Sequence, residues 1–238
     1  MKKTTSSVPT LSVVIPAYNE AQTIRQVVAA VRNSPVSQIE IIVVDDGSTD
    51  GTRQILKDIR SQIDLVILRE KNGGKGAALR DGFQAAKGQI VLIQDADLEY
   101  DPRDYTRLLQ PILEERADVV YGSRFVGSQP HRVVYFSHYL ANMMLTCLSN
   151  FFNNLNLSDM ETGYKAFRSE VIKKITLEEN GFGIEPELTA KVAAQKIRLY
   201  EVGIGYYGRT YEDGKKIGLR DFFWAIWIIV KYGVNRWF

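Results

Sequence analysis

Short β-branched runs alternate with helix-like stretches through the first half of this chain, and that alternation leaves few folds open. The runs are LSVVIP, IEIIVVDD, DLVILRE, QIVLIQDAD and ADVVYGS; residues 20–32, 50–60, 75–86 and 104–115 between them are helix-like. Strands that are apolar at consecutive positions need cover on both faces, the condition of a parallel strand inside an α/β layer. The pattern predicts a doubly wound, mostly parallel sheet, whose ligands gather at the carboxyl ends of the strands. The polar residues cluster where that rule places them. Tyr18, Asn19 and Glu20 follow the first run, Asp45 and Asp46 close the second, and Asp95 and Asp97 close the fourth.

The second half reads differently. Residues 133–155 form a long, largely apolar helix candidate, and SDMETGYKAFRSE an irregular strand. IEPELTAKVAAQ follows as a helix, IRLYEVGIGYYG as a strand, and a closing helix starts at Leu219. With 238 residues, 45% of them hydrophobic, the chain can bury one sizeable core. No linker rich in Pro, Gly or Ser divides it, so one domain over 1–238 is expected, with halves 1–122 and 123–238. The net charge of +2 argues against a dedicated nucleic-acid binder. A single cysteine, Cys147, excludes an internal disulfide, fits a reducing compartment and is expected to be inert packing on an apolar helix face. The apolar run at 11–15 is too short for a signal-peptide core, and no segment reaches the roughly 20 apolar residues that span a bilayer. A soluble or peripheral protein is expected. His131 and His138 lack a spacing that points to a metal.

Three constellations carry chemistry. VVDDGSTDGT ends a strand on two aspartates, then turns through Gly47 to Ser48, Thr49 or Asp50 as a helix cap. One carboxylate suits a cap; the second, Asp46, is a candidate acceptor for a nucleobase N–H or a ribose hydroxyl. NGGKGAALRDG departs from the P-loop, because Lys75 is not followed by Ser or Thr. It reads as a left-handed turn at Gly73 and Gly74, or as an anion cradle at a helix N-terminus with Lys75 beside it. DADLE is the strongest signal. On an extended strand end, Asp95, Asp97 and Glu99 share one face, and three hard oxygen ligands without nearby His or Cys suit Mg²⁺ or Mn²⁺. Such a metal completes its shell with water and substrate phosphates, which points to a bound diphosphate.

With these residues in view, the sequence resembles glycosyltransferase family 2 and its nucleotide-sugar-binding GT-A fold. SVVIPAYNE, VVDDGSTDGT, NGGKGAALRDGF and VLIQDADLEYDP match that family's signatures in order. GSRF, DMETGYKAF and GRTYEDGKKIG look like the branch that makes polyprenyl-phosphate sugars, which includes dolichol-phosphate mannosyltransferase and dolichol- or undecaprenyl-phosphate glucosyltransferases. The resemblance implies a nucleotide pocket lined by Pro16, Ala17, Tyr18 and Glu20, with Asp46 reaching the base and Lys75 near the anion. It places Asp95 beside ribose and metal, Asp97 as principal metal ligand and Glu99 at the third position. It makes 1–122 the nucleotide-sugar half and 123–238 the acceptor half. The implied donor is GDP-mannose or UDP-glucose, and the implied chemistry a single inverting displacement. Many relatives in this branch carry transmembrane helices after the catalytic domain; this chain shows none.

The acceptor decides whether a base is required. A hydroxyl must lose its proton to a nearby carboxylate, and Asp159 or Glu161 would serve. A lipid phosphate is already ionised and needs only cations to position it. Arg124, Arg132, Arg209 and Lys215, with Lys216 beside the last, are the candidates. Glu185 and Glu187 read as partners of a helix dipole. Near the C-terminus, Trp224, Trp227 and Trp237 stand among Arg220, Lys231 and Arg236, a pattern that suits a helix lying in a membrane interface. Packing on the sheet and a dimer contact are the alternatives for that helix. The resemblance puts the protein peripherally at the cytoplasmic membrane face. Competing readings are a hydroxyl-acceptor enzyme, a degenerate nucleotide-sugar-binding scaffold and a receiver-like domain, the last disfavoured by length and by the second acidic cluster.

Overall fold

A computed structural model describes residues 10–127, 130–133, 135–208 and 219–234. Each of the alternating runs forms a strand: β1 (Leu11–Ala17), β2 (Ile39–Asp45), β3 (Leu65–Leu68), β4 (Ile90–Ile93) and β5 (Val119–Ser123). The intervening helices are α1 (Ile24–Arg32), α2 (Thr52–Asp58), α3 (Lys75–Ala85) and α4 (Tyr105–Leu113). The second half adds α5 (Phe136–Asn153), β6 (Lys165–Arg168), the short α6 (Ser169–Ile172), α7 (Ile184–Ala194), β7 (Leu199–Gly203) and α8 (Leu219–Val234).

All seven strands join one sheet in the order β3-β2-β1-β4-β6-β5-β7. Gly122, where the two halves were expected to meet, lies inside β5, so both halves build the same sheet. Consecutive residues of β1 divide between the two faces. Val13 and Ile15 pack with Val27 and Val31 of α1 and Leu108 of α4, while Val14 packs with Leu79 and Phe83 of α3. Cover on both faces explains the unbroken apolar runs. The second face also receives Leu188 and Val192 of α7. Helix α3 lies close against β1, because a Cβ on Gly82 would fall 2.3 Å from Val14 Cγ1.

The strand order determines where chemistry collects. β1, β2 and β4 run parallel, so their carboxyl ends share one edge. β6 is antiparallel to both neighbours, pairing Leu92 with Ala166 on one side and Tyr121 with Lys165 on the other. Its first residue, Lys165, therefore sits at the edge where β4 delivers Asp95 and β5 delivers Arg124. The segment leading into β6, residues 158–164, is drawn to the same place.

Candidate active site

The donor side is a set of turns stitched together by side chains. Asn19 adopts a left-handed backbone (φ 56°), with its amide donating to Ser48 Oγ at 2.9 Å and its Oδ1 accepting from the Thr49 amide at 2.9 Å. The Glu20 amide donates to Thr52 Oγ1 and the Ala21 amide to Asp50 Oδ2. The SerThrAsp segment thus fastens the turn after β1, while Gly51 holds the cap position of α2. Tyr18 is exposed at the rim, Pro16 and Glu20 are partly buried, and Ala17 is buried. Thr23 Oγ1 donates to Glu20 Oε2 at 2.6 Å.

Asp46, expected to reach the base, is tied to the glycine loop. Its carboxylate accepts from the amides of Gly73 (3.0 and 3.1 Å) and Gly74 (2.7 Å), and it pairs with Arg69 at 3.2 Å. These oxygens hold the glycine loop in place. Of the two glycines expected in a left-handed turn, only Gly74 has positive φ, at 88°. That loop presses on residues 179–181, where a Cβ on Gly74 would lie 2.3 Å from the Asn180 carbonyl oxygen.

Lys75, the first residue of α3, extends Nζ to Asp95 Oδ1 (2.8 Å) and to Glu185 Oε1 (3.0 Å). Burial works against the ammonium, but the two carboxylates outweigh it and hold Lys75 protonated well above its ordinary range. Glu185 Oε2 meets Lys165 Nζ, which also reaches the Thr162 carbonyl and lies 4.8 Å from the centroid of the Tyr121 ring. Glu185 is therefore no simple dipole partner, as the spacing had implied, but the buried anion between two lysines. Glu187 binds the backbone amides of Glu178 and Glu179 and pairs with Lys191.

The DADLE segment does not stay extended. The chain turns after Asp95, and Leu98 adopts φ 62°, so the two-residue alternation stops. Asp97 stays partly exposed, and its Oδ1 accepts the Glu99 amide at 3.2 Å. Glu99 is buried and accepts from Tyr206 Oη at 2.9 Å. Among the described residues no three His, Cys, Asp or Glu side chains form a metal-holding cluster, so Glu99 does not complete the expected trio. Asp95 and Asp97 remain. Gly163 keeps space at Asp95 Oδ2, since a Cβ there would approach to 2.1 Å. Carboxylate oxygens without nitrogen or sulfur donors fit Mg²⁺ or Mn²⁺.

Beyond β5, Arg124 and Asp159 form a two-point ion pair: Nε to Oδ2 and Nη2 to Oδ1, both 2.7 Å. The Arg124 amide adds a third bond to Oδ2 at 3.1 Å. Burial opposes the guanidinium charge, but the Asp159 carboxylate prevails and holds Arg124 charged well above its ordinary range. Glu201 receives the amides of Ser158 and Asp159, which anchors the segment. Asp159 is fully buried with both oxygens engaged, so its geometry is that of a partner that orients Arg124 and not of a waiting base. Glu161 is different. Its Oε1 is buried without a hydrogen-bond partner, and burial first, then the charge of Glu185, push its carboxyl up to about 7. Arg132 is exposed and donates to the Gly208 carbonyl at 2.7 Å. Arg209, Lys215 and Lys216 lie outside the described residues.

Residues 12–176 match the family description "Glycosyl transferase family 2". The chain belongs to glycosyltransferase family 2. It is 32% identical over 208 residues to glycosyltransferase AglJ of Haloferax volcanii, covering 87% of this chain and 65% of that protein. It is 31% identical over 234 residues to the polyprenol monophosphomannose synthase of Mycolicibacterium smegmatis, covering 94% and 86%. The undecaprenyl-phosphate mannosyltransferase of Micrococcus luteus is 30% identical, covering 86% of both. Among solved structures, glucosyl-3-phosphoglycerate synthase from Mycobacterium tuberculosis, in complex with Mn²⁺, uridine diphosphate and glucosyl-3-phosphoglycerate, superposes with a TM-score of 0.74 at 23% identity. That superposition covers 95% of this chain and 80% of the other, and it shows the shared GT-A fold.

In this family 2 chain, α5 and α8 pack against each other. Leu145, Met160, Ala225 and Ile229 form a separate small core between them. The outer face of α8 leaves Phe223, Trp224 and Trp227 exposed by 64%, 50% and 57%. On α5, Phe136, Leu140, Met143, Met144 and Phe151 are exposed along one helical face. Cys147 falls on that stripe and is exposed, which corrects its expected burial. No described helix is long and apolar enough to cross a membrane.

Proposed function

We propose that this chain transfers a hexose, mannose or glucose, from a nucleoside diphosphate sugar to a polyprenyl phosphate, with inversion and with Mg²⁺ or Mn²⁺. Asp95 and Asp97 would hold the metal, which as a Lewis acid offsets the charge growing on the departing diphosphate. Tyr18 and Glu20 border the nucleotide, and Lys75, at the N-terminal end of α3, brings a cation to the diphosphate. The transfer breaks the bond from the anomeric carbon to the diphosphate oxygen and forms one to an acceptor phosphate oxygen on the opposite face.

The observation that carries the phosphate acceptor is the Arg124–Asp159 pair. With both Asp159 oxygens engaged, the group left with bonding capacity is the guanidinium, whose Nη1 has no hydrogen-bond partner among the described residues. An oriented guanidinium suits a phosphate that is already ionised. The relatives named for polyprenol and undecaprenyl phosphate support the same reading. The exposed aromatic face of α8 and the apolar stripe of α5 would rest in the headgroup region of the cytoplasmic membrane face, where the lipid chain emerges.

Glu161 favours a second reading. A carboxyl with a value near 7 and an unpartnered oxygen matches a general base for a sugar hydroxyl. Parallel incubations with polyprenyl phosphate, polyprenol and a monosaccharide separate the two. A phosphodiester-linked product from the phosphate alone supports the proposal; a glycoside formed with either hydroxyl acceptor supports the second reading.

A further inference from the structure

Lys75 and Asp95 stand where the proposed donor and metal must both bind, and the two are already bonded to each other. Lys75 and Lys165 carry two positive charges; Asp95 and Glu185 carry two negative ones. Glu185 divides its oxygens, Oε1 to Lys75 and Oε2 to Lys165. Asp95 is the more exposed of Lys75's two partners, at 21% against 6% for Glu185. Its Oδ1 faces the ammonium, and its Oδ2 packs against Gly163, where a Cβ would displace it.

We propose that Lys75 is the resident counterion of Asp95 in the donor-free protein, released from it when a divalent metal arrives together with the diphosphate. The inference rests on the metal and donor assignment made above. A divalent cation entering alone would compete with a bonded ammonium for Asp95. With a diphosphate present, the ammonium keeps Glu185 as a pivot and exchanges Asp95 for a phosphate oxygen, so its charge stays paired. Glu185 is then a positioning residue: it gives Lys75 somewhere to stay as it leaves Asp95. The purpose of such an exchange is order. The bare metal is held loosely, and a site with Asp95 already neutralised does not repel the incoming diphosphate.

Mn²⁺ binding, followed by the electron paramagnetic resonance signal of the free ion, tests this without turnover. Without nucleotide, Lys75→Met should bind Mn²⁺ about tenfold more tightly than the wild type, because the competitor is gone. Glu185→Gln should bind it more weakly, because the ammonium then rests on Asp95 alone. Lys75→Arg, which keeps the charge, should stay near the wild type. The Lys75→Met variant should also bind UDP or GDP more weakly, so its two affinities move in opposite directions; a merely damaged site would lose both. Melting midpoints identify any variant that fails to fold, and the Glu185→Gln and Lys75→Arg directions then carry the test. Mn²⁺ binding by Lys75→Met no tighter than the wild type, with the wild type binding Mn²⁺ in the presence of UDP or GDP, would overturn the exchange alone. Absence of Mn²⁺ binding by the wild type even with UDP or GDP would overturn both the exchange and the metal assignment beneath it.

Discussion

Arg124 and Asp159 bond through two parallel contacts of 2.7 Å, and Tyr206, whose ring centroid is 5.3 Å from that guanidinium, bonds to Glu99 in turn. A residue expected as a metal ligand is thus linked to the Arg124–Asp159 pair. Lysine cannot reproduce the planar fork. Arg124→Lys should therefore lower kcat/KM for the acceptor by about a hundredfold, the scale of losing one charge-stabilising contact. Donor affinity, measured by nucleotide titration, should change little. An equal loss in both would remove Arg124 from the acceptor side.

Glu161 yields a pH dependence with a definite sign. Its folded carboxyl titrates at about 7, above the ordinary value of 4.5, so the folded state holds a proton that the unfolded chain has released between those values. Stability is then fullest below about pH 4.5 as far as this group is concerned, and it falls as pH rises towards 7, by at most about 3 kcal/mol. Glu161→Gln should remove that slope, so that its melting midpoint overtakes the wild type at pH 8 but not at pH 5. Parallel pH profiles for the two proteins would contradict the assignment.

Gly163 and Gly82 separate site from scaffold. A Cβ on Gly163 would lie 2.1 Å from Asp95 Oδ2, whereas one on Gly82 would lie 2.3 Å from Val14 in the core. Gly82→Ala should cost about 1–3 kcal/mol of stability through overpacking. Gly163→Ala should instead displace Asp95 and weaken Mn²⁺ binding with a smaller change in melting temperature. Denaturant titration alongside metal titration checks both.

The exposed aromatics of α8 predict partition to lipid. Replacing Trp224 and Trp227 together by Ser should lower binding to anionic vesicles by about tenfold or more, leaving nucleotide binding intact. Sedimentation with vesicles measures the first, and nucleotide titration the second.

The core strands were legible because burial on both faces leaves an unbroken apolar run, and β1, β2 and β4 follow theirs closely. The site was legible only in part. Asp95, Lys75 and Arg124 could be placed by strand ends and helix starts. The Glu99 assignment assumed a strand that continues, and the left-handed turn at Leu98 ends it first. Glu185 looked like a helix-dipole residue, because a carboxylate in a first turn is favourable wherever the helix lies. Only the antiparallel insertion of β6 between β4 and β5 brings Lys165 to it, and that pairing joins residues too far apart in sequence for periodicity to reveal. The contacts of Asp46 were illegible for a related reason: the loop that it binds, at Gly73 and Gly74, reaches it through the fold.

The most direct test follows nucleoside diphosphate release from a panel of nucleotide sugars by the wild type and by Asp97→Ala, with Mn²⁺ and a short polyprenyl phosphate each present or withheld. The account predicts release only when wild type, metal and lipid phosphate are combined, and an Asp97→Ala protein that folds but does not transfer. Release that is indifferent to the lipid phosphate, or that persists in Asp97→Ala, would contradict it.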